Sequence, residues 1–144
     1  MRVSSRADYG VRALFELARR AGQGPVQSKE IAARQEIPEA YLHQVLGALN
    51  RAGLIKSTRG PLGGHELLQP PSEVNVYSIL VALDGIDQRM HPHPDGAGAG
   101  DVVHSLWHDL QAQSESFLRA VSLQTLLDRD MERMENATYV IRRA

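Results

Sequence analysis

The first fifty or so residues place apolar side chains at helical spacing, separated by polar and glycine-rich breaks. Apolar residues recur every three or four positions from Ala7 to Arg20, which predicts a first helix. A short second helix is predicted over residues 29–36, with Ser28 as its N-cap. A third helix is predicted to carry Pro38 in its first turn and to end before Gly53. The pattern therefore indicates three consecutive short helices.

The period of the pattern changes after Gly53. Residues 54–60 and 65–69 alternate as short strands do, and the glycines between them can take the positive φ of a hairpin. We name residues 54–69 the wing. A fourth helix is predicted over residues 76–85, with four apolar side chains on one face that packs back onto the core. These side chains are Val76, Ile79, Leu80 and Leu83.

The last third of the chain begins with a polar, glycine-rich loop over residues 84–100. A long amphipathic helix is predicted from Asp101 to Val121, followed by a short helix over 122–134 and a tail over 136–144. Because a long helix after such a loop has no obvious partner within the chain, its apolar stripe is expected to bury against a second copy. The stripe comprises Val103, Leu106, Trp107, Leu110, Phe117, Leu118 and Val121.

Composition narrows the functions that the chain can have. Its 144 residues, 42% of them hydrophobic, suffice for one compact domain and a dimerisation arm. The absence of cysteine excludes disulfides, thiolate zinc sites, a cysteine nucleophile and an all-cysteine iron–sulfur cluster. The sequence contains neither a membrane-spanning apolar run nor a signal peptide, so we expect a cytoplasmic protein without membrane contact.

The charges are divided unequally between the two halves of the chain. Residues 1–65 carry ten Lys and Arg against five acidic residues, whereas residues 66–144 carry six against twelve. The first half is therefore +5 and the second −6, which favours a polyanion as the partner of the first half. A solvated charged surface would give the same count.

The order of helix, short helix, helix and glycine-tipped hairpin is that of a winged helix-turn-helix. The predicted fold is mainly α with a small β wing, completed by a long dimerisation helix. Residues 1–83 form the predicted DNA-binding domain, residues 84–100 a sensor or linker loop, and residues 101–144 the dimerisation helix and C-terminal segment.

The third helix is predicted to lie in a major groove with its polar outer residues, because its apolar residues face inward. Gln44 can pair with adenine through two hydrogen bonds, and His43 can donate or accept one. In the wing, Arg59 is predicted to enter a narrow minor groove, while Gly63 and Gly64 let the backbone approach phosphate. Solvation of a polar helix face, or a wing that binds protein, is the alternative. Further predicted DNA contacts are Ser28, Glu39, Tyr41, Arg51, Lys56 and His65.

Three stretches resemble a known family of regulators. MRVSSRADYGVRALFELA, IPEAYLHQVLGALNRAGLIKSTRGPLGG and VYSILVALDG are similar to the bacterial winged-helix regulators typified by IscR, NsrR and CymR, the Rrf-two (Rrf2) family. The resemblance extends to about Leu127. It implies homodimers on pseudo-palindromic promoter DNA, with the long fifth helix as the dimer interface. It also implies that Ser4, Arg6 and Tyr9 hold the phosphate backbone, that Tyr41, His43 and Gln44 lie in the major groove, and that Arg59 enters the minor groove.

Some positions depart from the family pattern. His65 stands where a tyrosine is common, and His43 where a glutamate is often found, so the operator of relatives is not carried over. Relatives that bind a cluster have three cysteines in the loop before the fifth helix, the last in a Cys-x-x-His-x-x-Trp pattern. Here Asp101 replaces that cysteine ahead of His104 and Trp107. An ordinary iron–sulfur cluster is therefore not expected.

Nitrogen and oxygen donors remain in this stretch, namely His91, His93, Asp101, His104 and, one turn further, His108. Imidazole and carboxylate suit zinc, manganese, nickel or ferrous iron, which makes a divalent metal site at the first four residues one hypothesis. Histidines in polar loops are often only solvated. A small-molecule or protein effector, or a response to pH, fits the loop equally well.

The sequence thus predicts a DNA-binding transcriptional regulator that acts as a homodimer. The family resemblance implies palindromic promoter DNA and favours a repressor over an activator, because relatives commonly occlude promoters. The alternative hypotheses are a small metal-dependent enzyme or a protein-interaction module, either of which would use the histidines and aspartate named above. No nucleophile elbow, phosphate loop or HExxH helix supports an enzyme, so none is predicted. A steep salt dependence of DNA binding would distinguish a DNA reader from a protein-binding module.

Overall fold

A computed structural model of the chain describes residues 3–85 and 102–143. Within them the fold is mostly helical with one small antiparallel sheet, as the sequence predicts. Strand register pairs Ile55 with Leu67 and Thr58 with Gly64, so the strands form a hairpin. The elements are α1 (Ser5–Arg19), α2 (Ser28–Gln35), α3 (Glu39–Arg51), β1 (Ile55–Thr58), β2 (Gly64–Leu67), a 3-10 turn (Pro71–Glu73), α4 (Val76–Asp84), α5 (Val102–Ala120) and α6 (Leu123–Arg143).

The helix starts differ in detail from the prediction. The N-cap of α1 is Ser4, whose Oγ accepts a hydrogen bond from the Ala7 amide at 3.0 Å. Ser28 was wrongly predicted as a cap, because it is the first helical residue of α2 and Gln27 precedes it at the N-cap position. Pro38 likewise lies at the N-cap of α3 rather than inside its first turn.

The C-terminal segment corrects the prediction of a short helix and a separate tail. One helix, α6, extends over Leu123–Arg143. Residues 101–144 contain neither glycine nor proline, so no residue with a strong helix-breaking tendency interrupts the helix after Met134. Met131, Met134 and Ile141 are 62%, 57% and 76% exposed. Sequence periodicity missed this extension because its polar residues outnumber the few apolar ones at helical spacing.

The core forms where helices α1, α3, α4 and the start of α6 meet the sheet. Burial of these large aliphatic side chains is the main stabilising term of the fold. The carboxylate of Glu16 is also buried, and it accepts a hydrogen bond from Gln35 Nε2 at 2.7 Å, which fixes α2 against α1. Fully buried apolar residues include Leu14, Leu17, Leu42, Leu49, Ile55, Ile79 and Leu123.

Helix α5 lies outside this core and meets the rest of the fold at its C-terminal end. It packs against α4, yet none of its residues is buried. At the junction with α6, the Leu123 amide donates to the Val74 carbonyl at 2.9 Å, and the Val76 amide donates to the Val121 carbonyl at 2.9 Å. These backbone bonds attach the end of α5 to the start of α4. No helix within residues 3–85 and 102–143 is long and apolar enough to span a bilayer.

Candidate nucleic-acid interface

The outer face of α3 is polar and open to solvent. Leu42 and Val45 are fully buried, which turns the intervening His43 and Gln44 outward, together with Glu39 in the first turn. His43 Nε2 lies 3.9 Å from Glu39 Oε1, one helical turn away. The Gln44 amide, on the other hand, is exposed beside them and available to a base edge.

Tyr41 does not share this exposure. Its ring meets the ring of Tyr9 edge to face, with centroids 5.3 Å apart and planes at 73°. Both rings are half-buried and pack against the core, so they join α3 to α1. The predicted DNA contact of these two residues is therefore restricted to the part of each ring that remains exposed.

The tip of the wing is a tight, anchored turn. The Gly63 amide donates to the Gly60 carbonyl at 3.0 Å, and Gln27 Nε2 donates to the Pro61 carbonyl at 3.0 Å. A Cβ on Gly63 would lie 2.0 Å from the Thr58 carbonyl oxygen. Gly63 is buried, so close packing within the wing accounts for this glycine without any approach to phosphate.

Gly64 has a similar structural role at the base of the tip. Its φ is +145°, and a Cβ there would lie 2.5 Å from the Val26 carbonyl oxygen. The strand that follows forms a bridge to the segment before α2, in which the His65 amide donates to the Val26 carbonyl at 2.8 Å. The wing is thus fixed to the helical domain on two sides, through Gln27 and through Val26.

His65 lies on the second strand of the wing. Its Nδ1 lies 2.7 Å from Ser57 Oγ, a hydrogen bond across the hairpin. Burial and the charge of His43 lower the pKa of His65 below its ordinary value. The wing itself packs against α3 through β1, and the Leu54 amide donates to the Leu49 carbonyl at 3.0 Å.

Positive charge lies on the wing and at the end of α3. The side chains of Lys56 and Arg59 are exposed on the wing, and Arg51 is exposed at the end of α3. The Arg51 guanidinium lies over Gly47, since a Cβ there would come within 3.3 Å of Arg51 NH1. Ser28, by contrast, is half-buried in the first turn of α2. We name the exposed residues Glu39, His43, Gln44, Lys56 and Arg59, together with the wing tip, the reading face.

The N-terminus of α1 holds a carboxylate of the protein itself. Ser4 Oγ donates to Asp84 Oδ2 at 2.6 Å, so the end of α4 reaches the first turn of α1. Arg6, in that turn, is half-buried, and its Nε is buried with no hydrogen-bond partner among residues 3–85 and 102–143. The Ser4 hydroxyl, which the family resemblance assigns to DNA phosphate, thus donates to the Asp84 carboxylate in this structure.

The predicted metal ligands are only partly within the described residues. His91, His93 and Asp101 lie outside them. His104 and His108 are exposed on the first turns of α5. Residues 3–85 and 102–143 contain no group of three or more His, Asp or Glu side chains able to hold a metal.

Sequence reasoning missed three residues of this region. Gln27 anchors the wing tip, Asp84 caps α1 through Ser4, and Leu62 stands at the tip with 92% of its surface exposed. The contacts of Gln27 and Asp84 connect positions far apart in the chain, which periodicity cannot show. For Leu62 a signal existed, namely an apolar residue between turn-forming glycines and a proline.

Comparison with known proteins agrees with this geometry. A sequence profile of the Rrf2 family, described as "Iron-dependent Transcriptional regulator", matches residues 3–129. The HTH-type transcriptional regulator IscR of Aliivibrio salmonicida is 34% identical over 140 residues, which cover 94% of this chain and 83% of that protein. A putative HTH-type transcriptional regulator of Haemophilus influenzae is 32% identical over 143 residues, covering 96% and 95%.

Solved structures show the same fold. T. potens IscR superposes with a TM-score of 0.77 at 33% identity, covering 92% of this chain and 90% of that one. CymR, the global cysteine regulator of B. subtilis, gives 0.80 at 29% identity, covering 90% and 98%. These relatives are named as regulators of transcription, which is a non-enzymatic role. The protein belongs to the Rrf2 family of winged-helix transcriptional regulators.

Proposed function

We propose that the protein is a cytoplasmic homodimer that represses transcription by binding pseudo-palindromic promoter DNA through two reading faces. The observation that supports it most directly is an α3 helix with an exposed polar outer face, packed against a basic wing that Gln27 and Val26 anchor. A rigid surface of this kind loses little conformational freedom when it binds a duplex.

In this proposal α3 lies in the major groove. Gln44 pairs with a base edge, and His43 contacts a neighbouring base or phosphate. Arg59 reaches the adjacent minor groove, while Lys56 and Arg51 neutralise phosphates at the two ends of the reading face. Each such cation releases counterions from the duplex, so affinity falls steeply as salt concentration rises.

The second copy is proposed to cover α5. Its apolar stripe is open, with Leu106 56%, Leu110 43% and Phe117 60% exposed, and the ring of Trp107 is 40% exposed. A helix of 19 residues is about 28 Å long, so the stripe is long enough for a helix-to-helix interface. Large apolar side chains that no described residue covers favour burial against an identical helix, since a two-fold axis makes the same stripe complementary to itself.

Contacts between the end of α5 and the residues around α4 would set the spacing of the two reading faces in a dimer. The Arg119 guanidinium lies over the Tyr77 ring of α4 at 4.0 Å from its centroid, and Glu115, one turn earlier on α5 itself, pairs with that guanidinium at 2.9 Å. The contact between Arg119 and Tyr77 and the Leu123 to Val74 backbone bond hold the end of α5 on the predicted DNA-binding domain. Two domains held in this way face half-sites at a set distance, and a dimer on a promoter blocks polymerase.

Effector sensing is proposed to involve the segment between α4 and α5. Iron–sulfur clusters held by thiolates do not fit a chain without cysteine, whereas imidazole and carboxylate donors fit a divalent ion. The proposed ligands are His91, His93, Asp101 and His104. Metal analysis of the protein as isolated tests this idea, with the paired His91→Ala and His93→Ala variant as control. Metal-free protein with unchanged DNA binding would leave a small molecule or a partner protein as the effector.

The DNA-reading proposal is tested on a duplex selected from a random pool by the purified protein. Gln44→Ala should weaken binding to that duplex by about 1–3 kcal/mol and relax the base preference at one position of each half-site. Gln23→Ala is the matched control, because Gln23 is an exposed glutamine in the loop after α1. Enrichment of no duplex, or equal affinity of both variants, would contradict the proposal.

A further inference from the structure

Leu62 is an apolar side chain held out in water at the tip of the wing. It exposes 92% of its surface, the largest fraction among the large apolar side chains of residues 3–85 and 102–143. Single exposed leucines are common on protein surfaces and by themselves indicate nothing. What distinguishes this leucine is the rigidity with which the chain presents it.

Several contacts fix the turn that carries Leu62. The hydrogen bond from the Gly63 amide to the Gly60 carbonyl, at 3.0 Å, closes the turn around Pro61 and Leu62. Proline fixes its own φ, and the Pro61 carbonyl accepts the hydrogen bond from Gln27 at 3.0 Å. The turn is therefore ordered before any partner binds, and holding Leu62 in place costs little additional entropy on binding.

The residue after Leu62 is packed tightly within the wing. Gly63 is buried against Thr58 so closely that even a Cβ would lie 2.0 Å from the Thr58 carbonyl oxygen, which holds the backbone beside Leu62 in place. The Leu62 side chain itself is in water, with 92% of its surface exposed. Arg59, three residues earlier in the same turn, is exposed as well, so a guanidinium and an isobutyl group extend from one rigid tip.

A duplex minor groove is the partner that fits this pair. The groove attracts arginine by its negative potential, and its walls are formed by apolar sugar edges. Proteins that enter the minor groove often insert an aliphatic side chain against a base step, which partly unstacks it. We propose that Leu62 is a specificity-determining residue, in contact with the minor-groove wall and the base step next to Arg59. The inference rests on the proposed DNA-reading function and adds to it a contact without charge.

Two properties distinguish the proposed contact of Leu62 from the contacts that Lys and Arg side chains make with DNA. An apolar contact releases no counterions, so its loss lowers affinity without changing the salt dependence. Steps that unstack easily, such as TA and CA, accept an inserted side chain at lower cost than stiff A-tracts do. The wing is then expected to discriminate between sequences at a position where it makes no hydrogen bond to a base.

The experiment measures fluorescence anisotropy of the full-length protein on a duplex selected by the wild type, over a series of salt concentrations. Leu62→Ala should weaken binding about tenfold at every salt concentration, which is the loss expected for uncovering an aliphatic side chain. Arg59→Ala should instead reduce the slope of log affinity against log salt by about one. Leu68→Ala is the matched control, since Leu68 is 54% exposed but follows β2 at the base of the wing.

A second duplex carries 2-aminopurine at the step next to the Arg59 position. Binding of the wild type should raise its fluorescence through unstacking, and Leu62→Ala should not. Wild-type affinity for Leu62→Ala, or a reduced salt slope like that of Arg59→Ala, would overturn the inference while leaving the DNA-reading function in place. Altered self-association of Leu62→Ala with unchanged DNA affinity would also overturn it, in favour of a contact between copies. Failure of the wild type to bind any duplex would overturn both.

Discussion

Ser4 and Asp84 join the first turn of α1 to the last turn of α4 through a hydrogen bond of 2.6 Å from Ser4 Oγ to Asp84 Oδ2. The bond connects two helix ends whose residues lie 80 positions apart in the sequence. It places a carboxylate at the positive end of the α1 dipole, where an anion is stabilised.

The first prediction concerns the charge of Asp84. Asp84→Asn removes a negative charge from the start of α1, where the family resemblance implies that Ser4 and Arg6 contact DNA phosphate, so affinity for the selected duplex should rise. We expect a gain of about 0.3–1 kcal/mol at low salt, the usual scale of a charge at a helix end, which high salt removes. Asp128→Asn on α6 is the control for losing one carboxylate. Equal effects of both substitutions would show that only net charge matters.

The second prediction concerns His65 and pH. Burial and the charge of His43 lower the pKa of His65 in the folded protein, whereas in the unfolded chain it titrates near pH 6.5. The unfolded state therefore binds more protons as pH falls through 6.5, and the free energy of unfolding decreases until pH passes below the folded-state pKa.

Urea denaturation between pH 7.5 and 5.5 measures this effect. His65→Gln should show a smaller loss of stability on acidification than the wild type. His43→Gln is the graded control, because it removes only the second cause of the shift and should give an intermediate loss. An identical pH profile for His65→Gln and the wild type would be inconsistent with the burial of this imidazole.

The third prediction compares two glycines of the wing that both have positive φ. Gly60 has φ +105° with no atom within 4 Å of an added Cβ, whereas Gly64 has φ +145° and would place a Cβ 2.5 Å from the Val26 carbonyl oxygen. Both alanine substitutions incur backbone strain of about 1–2 kcal/mol. Gly64→Ala should be the more destabilising in thermal unfolding, since it also disrupts the contact between the wing and Val26, in the segment before α2. The opposite order would show that the wing is not fixed at Val26.

The fourth prediction concerns the attachment of α5 to the predicted DNA-binding domain. Arg119→Ala removes both the contact with Tyr77 and the ion pair with Glu115. We expect the homodimer to persist, because the apolar stripe is unchanged, while affinity for a two-half-site duplex falls and affinity for a single half-site does not. Arg129→Ala, at an exposed arginine of α6, controls for the lost charge. Parallel losses on both duplexes would place the role of Arg119 in folding instead.

Much of the fold followed from local pattern. The inward residues Leu42, Val45 and Leu49 give α3 its period and leave His43 and Gln44 outside, which is why the reading helix could be placed from sequence. The hairpin could be predicted because glycines and a proline separate two runs of strand formers.

The parts that escaped prediction depend on contacts distant in sequence. Gln27 lies at the N-cap position of α2 without a side-chain capping bond, and its side chain donates instead to the Pro61 carbonyl in the wing. The end of α6 is exposed, so no buried face marks it in the sequence. Asp84 forms its hydrogen bond with a residue 80 positions away in the sequence. The exposure of Leu62 depends on the folded turn that carries it. Local periodicity in a sequence reflects which side chains are buried, whereas these features depend on tertiary contacts and on exposure.

Sedimentation velocity of the protein on its selected duplex measures how many protomers bind each DNA molecule. We expect two protomers for each duplex, and enriched sequences that contain two half-sites related by two-fold symmetry and spaced by whole helical turns. Leu110→Asp on the α5 stripe should yield monomers that bind this duplex far more weakly. A wild-type protein that sediments as a monomer and binds DNA without sequence symmetry would refute a dimeric DNA-binding regulator.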